Sequence, residues 1–134
     1  MPTSALYLDS SALVKLVQAE PESVALQRYL RRHRSLMRVT SALTRVEVVR
    51  TVASGRAGAI EAARRQLRRC HQLDLGRGLL DRAARLDPGM PLRSLDAIHL
   101  ATAQTIPQLK ALLTYDHRMQ TAAQALGLPV AAPA

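Results

Sequence analysis

Four acidic residues, Asp9, Glu47, Asp96 and Asp116, stand in surroundings that do not suit solvated charges. Asp9 directly follows the apolar run Ala-Leu-Tyr-Leu and Asp116 follows Ala-Leu-Leu-Thr-Tyr, so each is expected at the carboxyl end of a strand. In open α/β sheets that edge is where ligands bind. Either residue could instead cap the helix after it, a common task for Asp. Asp96 lies in the segment 95–103, where only Asp96, His99 and Thr102 are polar, so its helix should be buried. A buried carboxylate is usually paired or bound to a metal; the other partners on offer are its own helix N-terminus and Arg93. Glu47 borders an apolar stripe within Arg-Val-Glu-Val-Val-Arg, where an i, i+3 ion pair with Arg50 explains it equally well.

Should the four acids meet at one sheet edge, their repulsion needs compensation. Like charges about 4 Å apart cost on the order of 4 kcal/mol at an effective dielectric of about 20. All-oxygen ligands suit a hard ion such as Mg²⁺ or Mn²⁺ and disfavour zinc. Such an ion can activate water and neutralise charge developing on a phosphodiester. His99, three residues after Asp96, is a candidate further ligand, although a histidine there is more often a satisfied core residue. His33, His71 and His117 lie near arginines and are expected at the surface, as are Glu20, Glu22, Glu61, Asp74, Asp81 and Asp87.

The elements that must position these groups alternate between strand and helix. Strands are expected at Ala5–Leu8, 36–40, 73–75, 111–115 and 128–131. Helices are expected at 12–19, 22–33, 41–54, 59–71, 78–86, 94–105 and 117–126, with Ser41 as one N-cap and Gly127 as one C-cap. Within 41–54 the stripe is Ala42, Val46, Val49 and Ala53. This alternation implies an α/β fold, a parallel sheet covered by helices on both faces.

At 134 residues and 48% hydrophobic content, one core and a single domain over 1–134 are expected. No run is long enough for a membrane span and no secretory signal is visible, while the lone Cys70 cannot form an internal disulfide, so the cytoplasm is the expected compartment. The formal net charge of +9 favours a polyanionic partner. Yet all the basic residues except Lys15 and Lys110 are arginine, a bias that GC-rich coding also produces.

The motifs then align with a known family. Tyr-Leu-Asp-Ser-Ser-Ala-Leu-Val-Lys-Leu at 7–16, Thr-Ser-Ala-Leu-Thr-Arg-Val-Glu at 40–47, Leu-Arg-Ser-Leu-Asp-Ala-Ile-His-Leu-Ala-Thr-Ala at 92–103 and Leu-Leu-Thr-Tyr-Asp at 112–116 occur in order. The third is highly specific and the second is the loosest. In these motifs the chain resembles the PIN-domain ribonucleases, and within them the VapC toxins of toxin–antitoxin pairs. The resemblance implies a PIN-like fold with a central parallel sheet of four to five strands flanked by helices. It implies Mg²⁺- or Mn²⁺-dependent endoribonuclease activity, with Asp9, Glu47, Asp96 and Asp116 matching the family's acidic quartet and Ser10 and Thr114 matching its small hydroxyl positions. It also implies a cognate VapB-type antitoxin and a homodimer.

Given an RNA substrate, Arg28, Arg31, Arg32, Arg34, Arg64, Arg65, Arg68 and Arg69 are candidates to track phosphates beside the acidic pocket, or else a solvated face. With no Phe or Trp and three Tyr, base stacking on an aromatic platform is not expected. Two other classes compete with this reading. One is a non-catalytic basic RNA-binding module. The other is a phosphatase with Asp9 as nucleophile, which fits poorly because Ser11 stands where a second Asp is needed.

Overall fold

Four apolar residues in a row stay buried on both sides only when their strand lies inside a sheet with helices above and below. Ala5–Leu8 is such a strand, β1, and all four of its side chains are buried. The computed structural model describes residues 4–134, so residues 1–3 of the expected domain lie outside the described residues. After β1 come α1 (Ser10–Val17), α2 (Ser23–Arg32), β2 (Met37–Ser41), α3 (Thr44–Val52), α4 (Ala59–Arg68) and β3 (His71–Leu73). They are followed by α5 (Arg77–Arg85), α6 (Ser94–Gln104), β4 (Leu109–Leu113), α7 (His117–Ala125) and β5 (Val130–Ala131). The five strands form one sheet in the order β3-β2-β1-β4-β5, and every neighbouring pair is parallel. This is the α/β fold that the alternation implied.

Strand order fixes where a crevice can open. The chain builds outward from β1 through β2 to β3, then crosses back to lay β4 on the other side of β1. Strand order therefore reverses between β1 and β4, the place where ligands sit beyond the carboxyl ends of an open sheet. The register pairs Leu8 with Leu113, and the Asp9 amide donates to the Leu113 carbonyl at 3.2 Å. Asp9 and Thr114 are thus neighbours at that edge.

The pleat sends alternate side chains into two cores. Leu6, Leu8, Ala111 and Leu113 pack with Leu13, Leu26, Val48 and Ala63 from α1 to α4. Ala5, Tyr7, Val39 and Leu112 pack with Leu100, Met119 and Ala122 from α6 and α7. A smaller cluster, including Leu79, Ala83, Ala97 and Ala101, joins α5 to α6. Among the described residues no helix is long and apolar enough to cross a membrane.

Several expected boundaries move, each for a local reason. Ser41 ends β2 instead of capping a helix; its Oγ accepts from the Leu43 amide, and α3 begins only at Thr44. The buried face of α3 is Thr44, Val48 and Val52, so Val46 of the expected stripe is 57% exposed. His71 opens the edge strand rather than closing a helix, because α4 stops at Arg68 and β3 pairs with Val39–Ser41 of β2. β4 ends at Leu113, leaving Thr114 and Tyr115 as a two-residue step before Asp116.

Truncating Leu100, which is fully buried between α6 and the sheet, is expected to cost about 2–5 kcal/mol. Val24 is 56% exposed, and its truncation should stay within about 0.5 kcal/mol. Urea denaturation of Leu100→Ala and Val24→Ala checks the pair; equal losses would contradict the core assignment.

Candidate functional site

Asp9 is buried to 2% exposure immediately after β1. It caps α1, with Oδ1 accepting from the Ala12 amide at 3.0 Å and from Ser11 Oγ at 2.7 Å, while Oδ2 accepts from Thr114 Oγ1. The two hydroxyls continue across the strand ends: Ser11 Oγ accepts from the Tyr115 amide at 2.9 Å, and Thr114 Oγ1 accepts from the Asp116 amide at 3.2 Å. Burial raises the Asp9 carboxyl above its ordinary pKa, against the opposing pull of His99 and of these hydrogen bonds. The capping alternative and the sheet-edge placement are therefore both realised in one residue.

Asp96 is buried to 8% exposure in the first turn of α6, and Asp116 caps α7 by accepting from the amides of Arg118 and Met119 at 2.9 and 3.2 Å. One guanidinium joins the two acids. Arg93 Nε lies 2.9 Å from Asp96 Oδ2, and Arg93 Nη2 lies 3.4 Å from Asp96 Oδ1 and 3.1 Å from Asp116 Oδ2. Asp96 foremost, with Asp116 and Glu47, holds the Arg93 guanidinium more firmly protonated than usual.

Glu47 does not pair with Arg50. Its Oε1 lies 2.7 Å from His99 Nε2, and His99 Nδ1 lies 2.7 Å from the Tyr7 hydroxyl. Burial, with added repulsion from the charges of Asp9 and Glu47, raises the Tyr7 phenol well above its ordinary pKa, so it keeps its proton. Nε2–H donates to the carboxylate, and Nδ1 shares a hydrogen bond with the Tyr7 hydroxyl. With both ring nitrogens engaged, His99 orients Glu47 and is not free to ligate.

Asp9, Glu47, Asp96 and Asp116 line one pocket of about 220 Å³ with Ser10, Ser11, Arg93 and His99. That volume holds several waters at about 30 Å³ each. The pocket brings together residues from four separated segments of the chain. As they stand, no group of three acidic, His or Cys side chains among the described residues is placed to hold one metal ion. The donor chemistry nonetheless suits a hard cation. The acids offer only oxygens, and Arg93 already acts as the cation between two of them. Glu47 and Asp9 carry no such permanent countercharge.

Thr114 takes the supporting place expected of it, whereas the hydroxyl that reaches Asp9 belongs to Ser11; Ser10 only lines the pocket. None of the eight arginines considered for phosphate tracking lines the acidic pocket. Arg64 and Arg68 flank a groove with Arg45, Arg31, Arg34 and Arg69 another with Arg38, and Arg28 and Arg32 a third beside the C-terminus. Ser11 and Tyr7 are the site neighbours that the sequence pattern does not single out, whereas His99 was expected as a ligand or a core residue and Arg93 as a partner of Asp96. For Arg93 the available signal was its spacing three residues before Asp96.

Residues 6–125 match the PIN domain family. The chain is 52% identical over 132 residues to the ribonuclease VapC46 of Mycobacterium tuberculosis, covering 97% of this chain and 98% of that one. Its fold is similar to that of VapC20 of the same species, a sarcin-ricin loop cleaving toxin, at a TM-score of 0.75 and 16% identity over 96% of this chain and 100% of that one. It is similar too to a chain of a toxin–antitoxin complex from Klebsiella pneumoniae, at a TM-score of 0.71 and 21% identity over 97% of this chain and 98% of that one.

Asp9 supplies a pH test of this electrostatic picture. Because burial raises its folded-state pKa, the folded protein holds more protons than the unfolded one just above the ordinary carboxylate value of 3.8, and stability falls as pH rises through that window. Asn cannot ionise. In EDTA, Asp9→Asn is expected to be more stable than the parent near neutral pH by roughly 0.5–2 kcal/mol. The gap should close below the ordinary carboxylate value. Denaturation curves across pH check this, and a pH-independent difference would contradict it.

Proposed function

This chain belongs to the PIN-domain family, in its VapC ribonuclease group, and we propose that it is the endoribonuclease toxin of a toxin–antitoxin pair, hydrolysing RNA phosphodiester bonds in the pocket that Asp9, Glu47, Asp96 and Asp116 line. The observation that carries the proposal is the meeting of these four carboxylates at the reversal of strand order, with the buried Asp9 at its floor. A structural role for the acids alone leaves their shared placement unexplained, since caps and ion pairs do not require a common pocket.

In this reading Asp9 and Asp96 hold a divalent cation, Mg²⁺ or Mn²⁺, with Glu47 and Asp116 completing the acidic ring. When bound, the cation supplies Lewis acidity, a water of lowered pKa and charge neutralisation at the phosphate. The protein's own groups do the positioning. Ser11 fixes one oxygen of Asp9 and Thr114 the other. His99, anchored by Tyr7, fixes Glu47 Oε1 and leaves Oε2 to accept a proton from the attacking water. Asp116 is set by the first amides of α7.

The basic surface draws RNA by phosphate neutralisation, consistent with the net charge of +9. The arginine grooves lie on other parts of the surface from the acid pocket, so RNA contact extends well beyond the scissile bond. The partner in this account is a VapB-type antitoxin that covers the acid pocket, and the toxin acts as a homodimer.

Purified protein incubated with total RNA and Mn²⁺ is expected to cleave it, and excess EDTA should abolish the cleavage. Asp96→Asn should lose more than about 100-fold in rate, since even outer-shell partners of metal ligands are worth about 10- to 100-fold. Gel analysis of the products reads both effects. Cleavage that survives EDTA and the substitution would contradict the mechanism, and binding of RNA without cleavage would favour a non-catalytic module.

A further inference from the structure

Arg93 is the one permanently cationic side chain lining the acid pocket among the described residues. An Arg three residues before an Asp on a helix would ordinarily make a local pair of small consequence. Here the guanidinium does more, because its Nη2 also reaches Asp116, which follows a different strand and caps a different helix. It spans two acids from separate parts of the fold.

A guanidinium and a hard divalent cation on the same carboxylate oxygens repel each other and compete for one negative charge. An ion bonded directly to Asp96 needs oxygens to which Arg93 now donates at 2.9 and 3.4 Å. Arginine cannot give up its proton, so it can make room only by moving. Its side chain is 63% exposed, on a residue that precedes the first turn of α6, and the way out is into solvent. Once released, the planar fork with its five donors matches a phosphodiester as well as it matches a carboxylate.

Resting on the function proposed above, we propose that Arg93 exchanges partners: it neutralises Asp96 and Asp116 until a divalent cation replaces it, and the freed guanidinium then takes a phosphate oxygen of the RNA. The residue is thereby both a built-in competitor of the metal and a substrate contact. No other side chain in the pocket is placed for the exchange, since His99 is committed to Tyr7 and Glu47.

The test is calorimetric titration of Mn²⁺ into the purified full-length chain and its Arg93→Gln, Arg93→Lys and Asp96→Asn variants, together with steady-state RNA cleavage at saturating Mn²⁺. Arg93→Gln is expected to bind Mn²⁺ about three- to tenfold more tightly, the loss of a competing ion pair. Arg93→Lys, which keeps a charge but loses the fork, should fall between it and wild type. At saturating Mn²⁺ the Gln variant should show a KM for RNA raised about tenfold, with a smaller change in kcat. A merely structural role would not tighten metal binding. Unchanged or weaker Mn²⁺ affinity in Arg93→Gln overturns the exchange, and an unchanged KM overturns the phosphate contact. If wild type fails to bind Mn²⁺, or Asp96→Asn binds it as tightly, the reading of the pocket itself is at fault and the exchange falls with it.

Discussion

A carboxylate held away from water at the end of the central strand is the constraint around which the rest of this molecule is arranged. Asp9 is 2% exposed, and its burial disfavours the charge that its position offers to a ligand. Every nearby element softens that penalty. α1 presents the Ala12 amide, Ser11 and Thr114 give hydroxyl donors, and the imidazole of His99 contributes a favourable field. None of these is a full countercharge. In the function proposed above, a buried acid with hydrogen bonds but no paired cation is a site prepared for one, and the neighbouring acids add to the repulsion such an ion would relieve.

The parallel sheet makes this arrangement possible. A strand with neighbours on both edges and helices on both faces must end in a place that the core cannot fill, and strand order reverses there. β1 brings Asp9 to that place, the step after β4 brings Asp116, and α6 crosses behind β1 with Asp96 and His99. Glu47 arrives from α3 on the other side and is met by His99 across 52 residues of chain. The Tyr7–His99–Glu47 chain runs from the interior of the sheet to the pocket, so packing in the second core sets the orientation of a carboxylate at the surface. Folding energy is spent here on holding like charges together.

Much of this was legible in the sequence, and the unread parts share a cause. Asp96 was visible because it interrupts an apolar segment, and Asp9 and Asp116 because each directly follows an apolar run, one-dimensional signals that burial alone produces. The fold class followed from the alternation of runs for the same reason. Glu47 could not be read from its own helix. The expected stripe through Val46 was offset from the buried face of Thr44, Val48 and Val52, and its partner His99 lies far along the chain. Arg93 was legible as a neighbour of Asp96 but not as a bridge to Asp116, because that contact depends on how α6 and α7 pack. Ser41 had the chemistry of a helix cap and used it within the turn that leads to α3, which moved the helix start to Thr44. The arginines were countable, yet their distribution over three separate grooves is a property of the folded surface.

The central claim is that the acids of this pocket jointly hold a divalent cation. Anomalous diffraction from a crystal grown with Mn²⁺ tests it most directly. The account predicts a peak between the Asp9 and Asp96 carboxylates, with the Arg93 guanidinium withdrawn from Asp96. A saturated crystal with no peak in the pocket, or with Mn²⁺ bound elsewhere and Arg93 still bridging Asp96 and Asp116, would contradict it.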